Sequence, residues 1–390
     1  MNTEKFKGVF PAFYACYDDN GEISAERTQL LAKHLMEKGV KGLYVGGSSG
    51  ECIYQSVEDR KKILENVMKA VKGKLTIIAH VACNNTKDSC ELAAHAESQG
   101  VDAIAAIPPI YFHLPEYAIA EYWNDISAAA PNTPFIIYIS GIDTYGSITT
   151  VSRSDVNMIV TVNPKTKQIL MSSIPRDYYV TLANKGKKDK LTHSGLAGPE
   201  NTVKTMDNFL GIDINYYARV NFTSLITMVD ALGGIDLDSD SSFTAASGDS
   251  FRKGVQHVNG KKALAFARER HAFGGGDNMR VKHQQDVLMS MLKKMMSPAI
   301  ITNYTGVLNS IAGCFETNMS SDNITDLIQM QVNDMAQWTF TQKQFTGHGV
   351  MQTGGAYMPN TKLYYMIPDD SSVSENIAAI KAVLNGQTVE

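Results

Sequence analysis

Cysteine is scarce in this chain of 390 residues. There are five, Cys16, Cys52, Cys83, Cys90 and Cys314, and four of them fall in the first hundred residues. No pair forms C-x-x-C and the number is odd, which argues against a zinc ribbon and against a disulfide framework. The first part therefore reads as a reduced, cytosolic protein, and the remainder is compatible with either side of a membrane. An excess of basic charge is missing too. Thirty-six Lys and Arg face 40 Asp and Glu, for a net charge of -4, so no nucleic-acid partner is expected. No uncharged apolar run reaches the roughly 18 residues of a membrane-spanning helix. Residues 1–7 lack the apolar segment of a signal peptide. As written, the chain is expected in the cytoplasm. No H-E-x-x-H motif and no internal repeat occurs.

What is present suits a globular protein of two domains: hydrophobic residues make up 44% and charged residues 19%, enough to bury two cores. Residues 1–138 alternate strand and helix. Residues 8–17 form an apolar run suited to a buried parallel strand. Ser24 is placed to cap a helix through residue 38, with Leu30, Leu31, Leu35 and Met36 at helical spacing. Further strands are expected at 42–45, 75–81, 103–107 and from 135, and helices at 57–71, 88–99 and 116–130. Four successive βα units are the start of a (β/α)8 barrel, but a complete barrel needs about 250 residues. After Ile139 the pattern changes to short strands, turns and polar loops. Residues 238–250 read as a loop, and 263–270, 279–296, 307–312, 324–334 and 374–384 as helical.

The run Gly42-Leu43-Tyr44-Val45-Gly46-Gly47-Ser48-Ser49-Gly50-Glu51, with Ile78-Ala79-His80-Val81 and Phe135-Ile136-Ile137-Tyr138, resembles the N-acetylneuraminate lyase and dihydrodipicolinate synthase family. A turn of this kind offers backbone N–H groups and hydroxyls to a carboxylate. The resemblance implies that Ser48 and Ser49 would bind the pyruvate carboxylate and that Tyr138 would be the proton-relay tyrosine. The departure is decisive. The family's Schiff-base lysine lies about thirty residues beyond that tyrosine, on a sixth strand. Here Lys165 and Lys167 sit in Asn163-Pro164-Lys165-Thr166-Lys167, a turn sequence. A carbonyl-attacking lysine needs desolvation. The same glycines fit G-x-S-x-G, but the surrounding pattern is not that of an α/β-hydrolase. A half-barrel has open edges, so this segment is expected to be stable only by self-association, by packing on the rest of the chain, or not at all.

Three later stretches carry a different chemistry. They are Ile139-Ser140-Gly141-Ile142-Asp143-Thr144-Tyr145-Gly146 with Arg153-Ser154-Asp155-Val156-Asn157, then Ser172-Ser173-Ile174-Pro175-Arg176-Asp177. The third is Ala263 to Arg270 followed by Gly276-Asp277-Asn278-Met279-Arg280-Val281-Lys282-His283-Gln284-Gln285. Arg268 and Arg270 would share a face of an extended segment. Asp277, Arg280 and Gln284 would form one stripe of a helix, with Asp277 as N-cap. Several arginines aimed at one point are tolerable when they share an anion, and guanidinium suits phosphate. Asp143 and Asp155 would supply oxygen ligands to Mg²⁺. The bland alternative, that Arg268 and Arg270 are solvated or paired with Glu269 or Asp277, carries equal weight on spacing alone. Asp236, Asp238 and Asp240 imitate an EF-hand loop, but Ser241 and Ser247 stand where it needs glycine and glutamate.

With Val220-Asn221-Phe222, Val229-Asp230-Ala231-Leu232-Gly233-Gly234-Ile235 and Tyr364-Tyr365-Met366-Ile367-Pro368, these stretches resemble the LytR-CpsA-Psr family over nearly all of 139–390. That resemblance implies an α-β-α domain with a mixed sheet. It implies metal-associated aspartates at Asp143 and Asp155, and pyrophosphate contacts at Arg176, Arg268, Arg270, Arg280 and Gln284, with Lys190 near the same pocket. It implies transfer of a glycan phosphate from a polyprenyl pyrophosphate carrier to a peptidoglycan hydroxyl, for capsule or wall-polymer attachment, with Mg²⁺ and with Asp277 as a candidate base. The expected domains are 1–138, a partial barrel, and 139–390, the transferase domain. The transferase family is normally membrane-anchored and extracellular, so a chimera joined at 135–140 is the reading. The alternatives are a pyruvate-dependent aldolase and a non-catalytic binder of lipid pyrophosphate.

Overall fold

Capping sets the first helix. The Ser24 hydroxyl accepts from the Arg27 N–H at 3.3 Å and opens α1 (Ala25–Glu37). Strand β1 (Gly42–Val45) follows. A reciprocal Ser56–Asp59 capping box then starts α2 (Val57–Val71). Next come β2 (Thr76–His80), α3 (Thr86–Gln99), β3 (Ala103–Ala105) and α4 (Glu116–Ala128). Gly100 ends α3 in the left-handed region at φ 77°, which glycine adopts without a Cβ penalty.

The computed structural model describes residues 3–110, 114–130, 134–270, 277–301 and 304–389. Its contacts divide the chain into two units, Asn2–Asn132 with Ser320–Leu327, and Thr133–Met319 with Ile328–Glu390.

In the N-terminal unit, β1, β2 and β3 are parallel neighbours, and Leu43, Val45, Val67, Val71, Ile77 and Ala93 form its core. The strand expected at 8–17 is reduced to two isolated bridges, Ala12 to Tyr44 (parallel) and Tyr17 to Ile23 (antiparallel). Pro11 offers a carbonyl to the Tyr44 N–H at 3.0 Å but has no N–H with which to extend the ladder.

The strand from Phe135 does not continue a barrel. It is β4 (Phe135–Ile142), which pairs antiparallel with β5 (Ser154–Asn163) and parallel with β9 (Tyr216–Val220). Between those partners lie β6 (Gln168–Ser173), β7 (Tyr179–Thr181), β8 (Lys188–Lys190) and α5 (Pro199–Leu210). The chain continues through α6 (Phe222–Ala231), β10 (Ile235–Ser239), β11 (Phe243–Thr244), β12 (Ser250–Phe251), β13 (Gly254–Val258), α7 (Gly260–Arg268) and α8 (Asp277–Met295). It closes with α9 (Pro298–Ile301), α10 (Tyr304–Ile311), β14 (Glu316–Thr317), α11 (Ser321–Asp334), β15 (Thr339–Gln344), β16 (Gly347–Gln352), β17 (Leu363–Pro368) and α12 (Asp370–Leu384).

The principal sheet has the order β14-β9-β4-β5-β6-β15 and is mixed. Its central strands are buried nearly throughout, as strands covered on both faces should be. The stretch 238–250, expected as a loop, carries the two-residue strands β11 and β12, whose Phe243 and Phe251 rings stack at 5.0 Å. Strands this short leave no alternation to detect. Among the described residues, no helix is long and apolar enough to cross a membrane.

Candidate active site at the ends of β4, β5 and β6

The site begins with an irregularity. Gly141 stands opposite Val156, but Ile142 stands opposite Ser154. Asp155 is therefore the extra residue of a β-bulge, a feature that re-aims a side chain at a strand end. Gly141 permits it, since a Cβ there would come 2.7 Å from the Val156 Cβ. Asp143 follows Ile142 directly and is exposed, so both carboxylates leave adjacent strand ends.

A buried polar network holds the bulge. Tyr138 Oη donates to Asn157 Oδ1 at 2.6 Å, Ser154 Oγ donates to the same oxygen at 2.8 Å, and Ser140 and Ser154 hydroxyls meet at 2.8 Å. Asn157 Nδ2 returns a bond to the Ser154 carbonyl at 3.0 Å. Burial pushes the Tyr138 phenol far above its ordinary pKa. Tyr138 is 0% exposed, and belongs to this network in the C-terminal unit. Ser48 and Ser49 are exposed in a 3-10 turn after β1, in the other unit. Ser48 and Ser49 thus belong to one unit and Tyr138 to the other. Lys165 and Lys167 lie in the turn between β5 and β6, whose ends pair at Asn163 and Gln168. Lys165 is exposed, and Lys167 has φ 54°. Neither stands at the end of a buried strand.

Around Asp155 the charges alternate. Its Oδ1 accepts from Thr192 Oγ1 at 2.9 Å and lies 3.2 Å from Arg176 Nη1. Arg176 Nε is 3.7 Å from Asp177 Oδ2, and Asp177 Oδ1 is 2.8 Å from Lys190 Nζ. Arg176 leaves the end of β6, and Lys190 ends β8, paired with Tyr179 of β7. These groups are only partly exposed, where charge–charge contacts are screened less than at the surface.

Arg268 is the last residue of α7, and Glu269 turns extended. The expectation of an extended segment carrying both Arg268 and Arg270 is corrected here: the helix end falls between them. The Arg268 guanidinium lies 4.3 Å over the Phe222 ring, a cation–π contact. The Phe222 N–H donates to Thr144 O at 3.0 Å, so this arginine is tied to the loop that follows Asp143. Glu269 is 3% exposed and its carboxylate accepts from Ala246 N–H and Arg270 N–H. On α8, Arg280 is buried and Gln284, one turn on, is half-buried. Gln285 fastens this helix to the sheet through Met171 O at 3.2 Å and Lys343 O at 2.8 Å. Asp277 is the first residue of α8 rather than the residue before it. Its side chain, and residues 271–276 with their three glycines, lie outside the described residues. Asp177, Thr192 and Phe222 were not given roles from sequence. Asp177 and Phe222 stand within motifs already singled out, and closeness in sequence to Arg176 and Lys190 was the only signal for Asp177 and Thr192.

Two carboxylates at neighbouring strand ends, one exposed and one on a bulge, are oxygen donors of the kind a hard divalent cation takes. Among the described residues no cluster of three or more His, Cys, Asp or Glu that could hold a metal ion is present.

Comparison with known proteins follows this division. The model of the LytR_cpsA_psr family matches residues 116–378, more than half of the chain. The model of the dihydrodipicolinate synthetase family matches 5–157. The chain is 77% identical over 137 residues to the N-acetylneuraminate lyase of Mediterraneibacter gnavus, covering 35% of this chain and 44% of that protein. The chain thus spans less than half the length of this lyase. It is 35% identical over 237 residues to the polyisoprenyl-teichoic acid–peptidoglycan teichoic acid transferase TagU of Bacillus mycoides, covering 60% of this chain and 74% of the relative. The crystal structure of B. subtilis TagV superposes with a TM-score of 0.55 at 30% identity, over 66% of this chain and 99% of that one. By the family model that covers most of it and by the TagU relative, the chain falls in a transferase class. It belongs to the LytR_cpsA_psr family.

Proposed function

We propose that this chain transfers a glycan phosphate from a polyprenyl pyrophosphate carrier to a hydroxyl of peptidoglycan. The observation that carries the reading is the chain of charges Asp155–Arg176–Asp177–Lys190 beside the ends of β5, β6 and β8, with Asp143 directly after β4. Arg268 is tied to the same loop through Phe222. The name of the TagU relative supplies the substrate class.

In this reading the acceptor oxygen attacks the phosphorus that bears the sugar. A new P–O bond forms, the bond to the bridging oxygen breaks, and polyprenyl phosphate leaves with that oxygen. The acceptor proton passes to a base, for which Asp277 is the candidate. Negative charge grows on the bridging oxygen, where preorganised cations act most strongly. Arg176, Arg268, Arg270 and Arg280 hold the phosphates, Lys190 adds a point charge, and Gln284 orients them. Asp143 and Asp155 would hold Mg²⁺, which when bound offsets charge on phosphate oxygens. The carboxylates around Arg176 and Lys190 keep these cations placed before an anion arrives.

The test is breakdown of a long-chain polyprenyl pyrophosphate by the full chain, with and without Mg²⁺, beside Arg268→Ala. Release of polyprenyl monophosphate that requires both is expected. A folded sample that binds the lipid without turnover would replace this reading with the non-catalytic binder.

A further inference from the structure

Asp189 lies on β8, one residue before Lys190, and is 1% exposed. A buried carboxylate is tolerable only when its oxygens are bonded. Here Oδ1 accepts from the Lys190 N–H at 2.7 Å and faces His193 Nδ1 at 2.9 Å, and Oδ2 accepts from the Tyr357 N–H at 2.8 Å. His193 is itself buried and meets the Tyr357 ring edge-on at 5.7 Å. Tyr357 belongs to the connection between β16 and β17. One carboxylate therefore fastens β8, the turn after it and that connection. Packing around it is close. At Gly355 a Cβ would stand 2.2 Å from Tyr365 Oη and 3.1 Å from Asp189 Oδ1, so only glycine fits there unless the packing shifts.

The consequence falls on Lys190. Its stem has four rotatable bonds, and an ammonium on such a stem is placed only if the backbone beneath it is placed. Lys190 Nζ reaches Asp177 and passes 5.8 Å from the Tyr365 ring centroid. Tyr365 is fully buried in the same cluster. We propose that Asp189 is a positioning residue for anion binding: by holding the Lys190 backbone against His193 and Tyr357, it sets the ammonium at the end of the Asp155–Arg176–Asp177 chain. This rests on the reading above, in which Lys190 contacts the pyrophosphate.

Electrostatics makes the inference easy to break. Asp189→Asn removes a negative charge near an anion site, and by Coulomb's law alone that would tighten anion binding. Loss of positioning weakens it. The measurement is calorimetric titration of inorganic pyrophosphate into the full chain carrying Asp189→Asn, Lys190→Ala or both. Expected are an affinity about tenfold lower in Asp189→Asn, at least as large a loss in Lys190→Ala, and no further loss in the double variant. Unchanged or tighter binding in Asp189→Asn, or losses that multiply in the double variant, would overturn the proposal. Full affinity in Lys190→Ala would overturn the reading beneath it and the proposal with it. Should Asp189→Asn fail to fold, His193→Gln removes one tether and keeps the charge. A smaller loss that disappears in the Lys190→Ala background is then expected, and no loss counts against the proposal.

Discussion

Arg60 and Arg176 are both held inside their units, and their surroundings differ in kind. Arg60, 6% exposed, donates from Nη1 to Ala82 O at 2.9 Å and Cys83 Sγ at 3.1 Å, and from Nη2 to His80 O at 2.7 Å. Its fork is taken up by neutral acceptors at the end of β2. Beside it, burial depresses the His80 imidazole pKa, and the Arg60 charge adds to that depression. Arg176 instead faces the carboxylates of Asp155 and Asp177, with Lys190 beyond. Main-chain carbonyls cannot leave, so Arg60 braces a strand end. Carboxylates can turn toward a cation while their arginine turns toward a phosphate, so Arg176 stands in a site able to exchange partners. What an arginine does is decided by what accepts from it, and on that ground the two units differ: one holds its arginine on neutral acceptors, the other among carboxylates.

The sharpest way to break this contrast is Arg268→Ala, which should lower turnover of polyprenyl pyrophosphate by about 10²-fold with an unchanged melting profile. A loss of stability with turnover kept would make Arg268, an exposed residue, a packing partner of Phe222 only. Next in size is Leu43→Ala, at a fully buried position of the N-terminal core. It should destabilise that unit by about 2–5 kcal/mol, seen as a downward shift of one of two calorimetric transitions, with pyrophosphate turnover retained. If one transition carries the whole chain, the two-unit description fails. Tyr138→Phe should cost the C-terminal unit about 1 kcal/mol, because Asn157 Oδ1 keeps its bond from Ser154. Denaturant melting would locate the loss, and a shift in the N-terminal transition would reassign this tyrosine. The smallest effect is none at all: borohydride reduction with pyruvate should trap no adduct on Lys165 or Lys167, and an adduct found by mass spectrometry would restore the aldolase.

Much of this architecture was legible in the sequence because its signals are local. The cap at Ser24, the α2 boundaries and the presence of a closing helix follow from periodicity and capping chemistry, though α12 starts at Asp370, a turn before the expected 374. The hairpin at Lys165–Lys167 follows from its turn residues. The destination of β4 was not legible, since Phe135–Ile142 carries an apolar run that serves either fold. Pairing with β5 is decided by residues far along the chain, which is the tertiary override that propensity cannot see. The candidate site divides similarly. Asp155, Arg176 and Lys190 were visible as motif residues. That Asp177 joins Arg176 to Lys190, and that Asp189 anchors Lys190 as well, depends on β7 pairing with β8, and no spacing announces it.

The bulge at Asp155 has a consequence for how this protein can change. Side chains along a strand alternate between faces, so one residue more or less inverts everything on one side of the irregularity. Downstream, Met158 to Asn163 are locked in register with β6. Upstream, residues 147–151 are largely exposed and can absorb a slip. Deletion of the one codon for Asp155 would therefore leave the strand pairing downstream in place while removing the carboxylate from beside Arg176. Such a lineage would keep the fold, lose the chemistry, and look intact in any assay of folding.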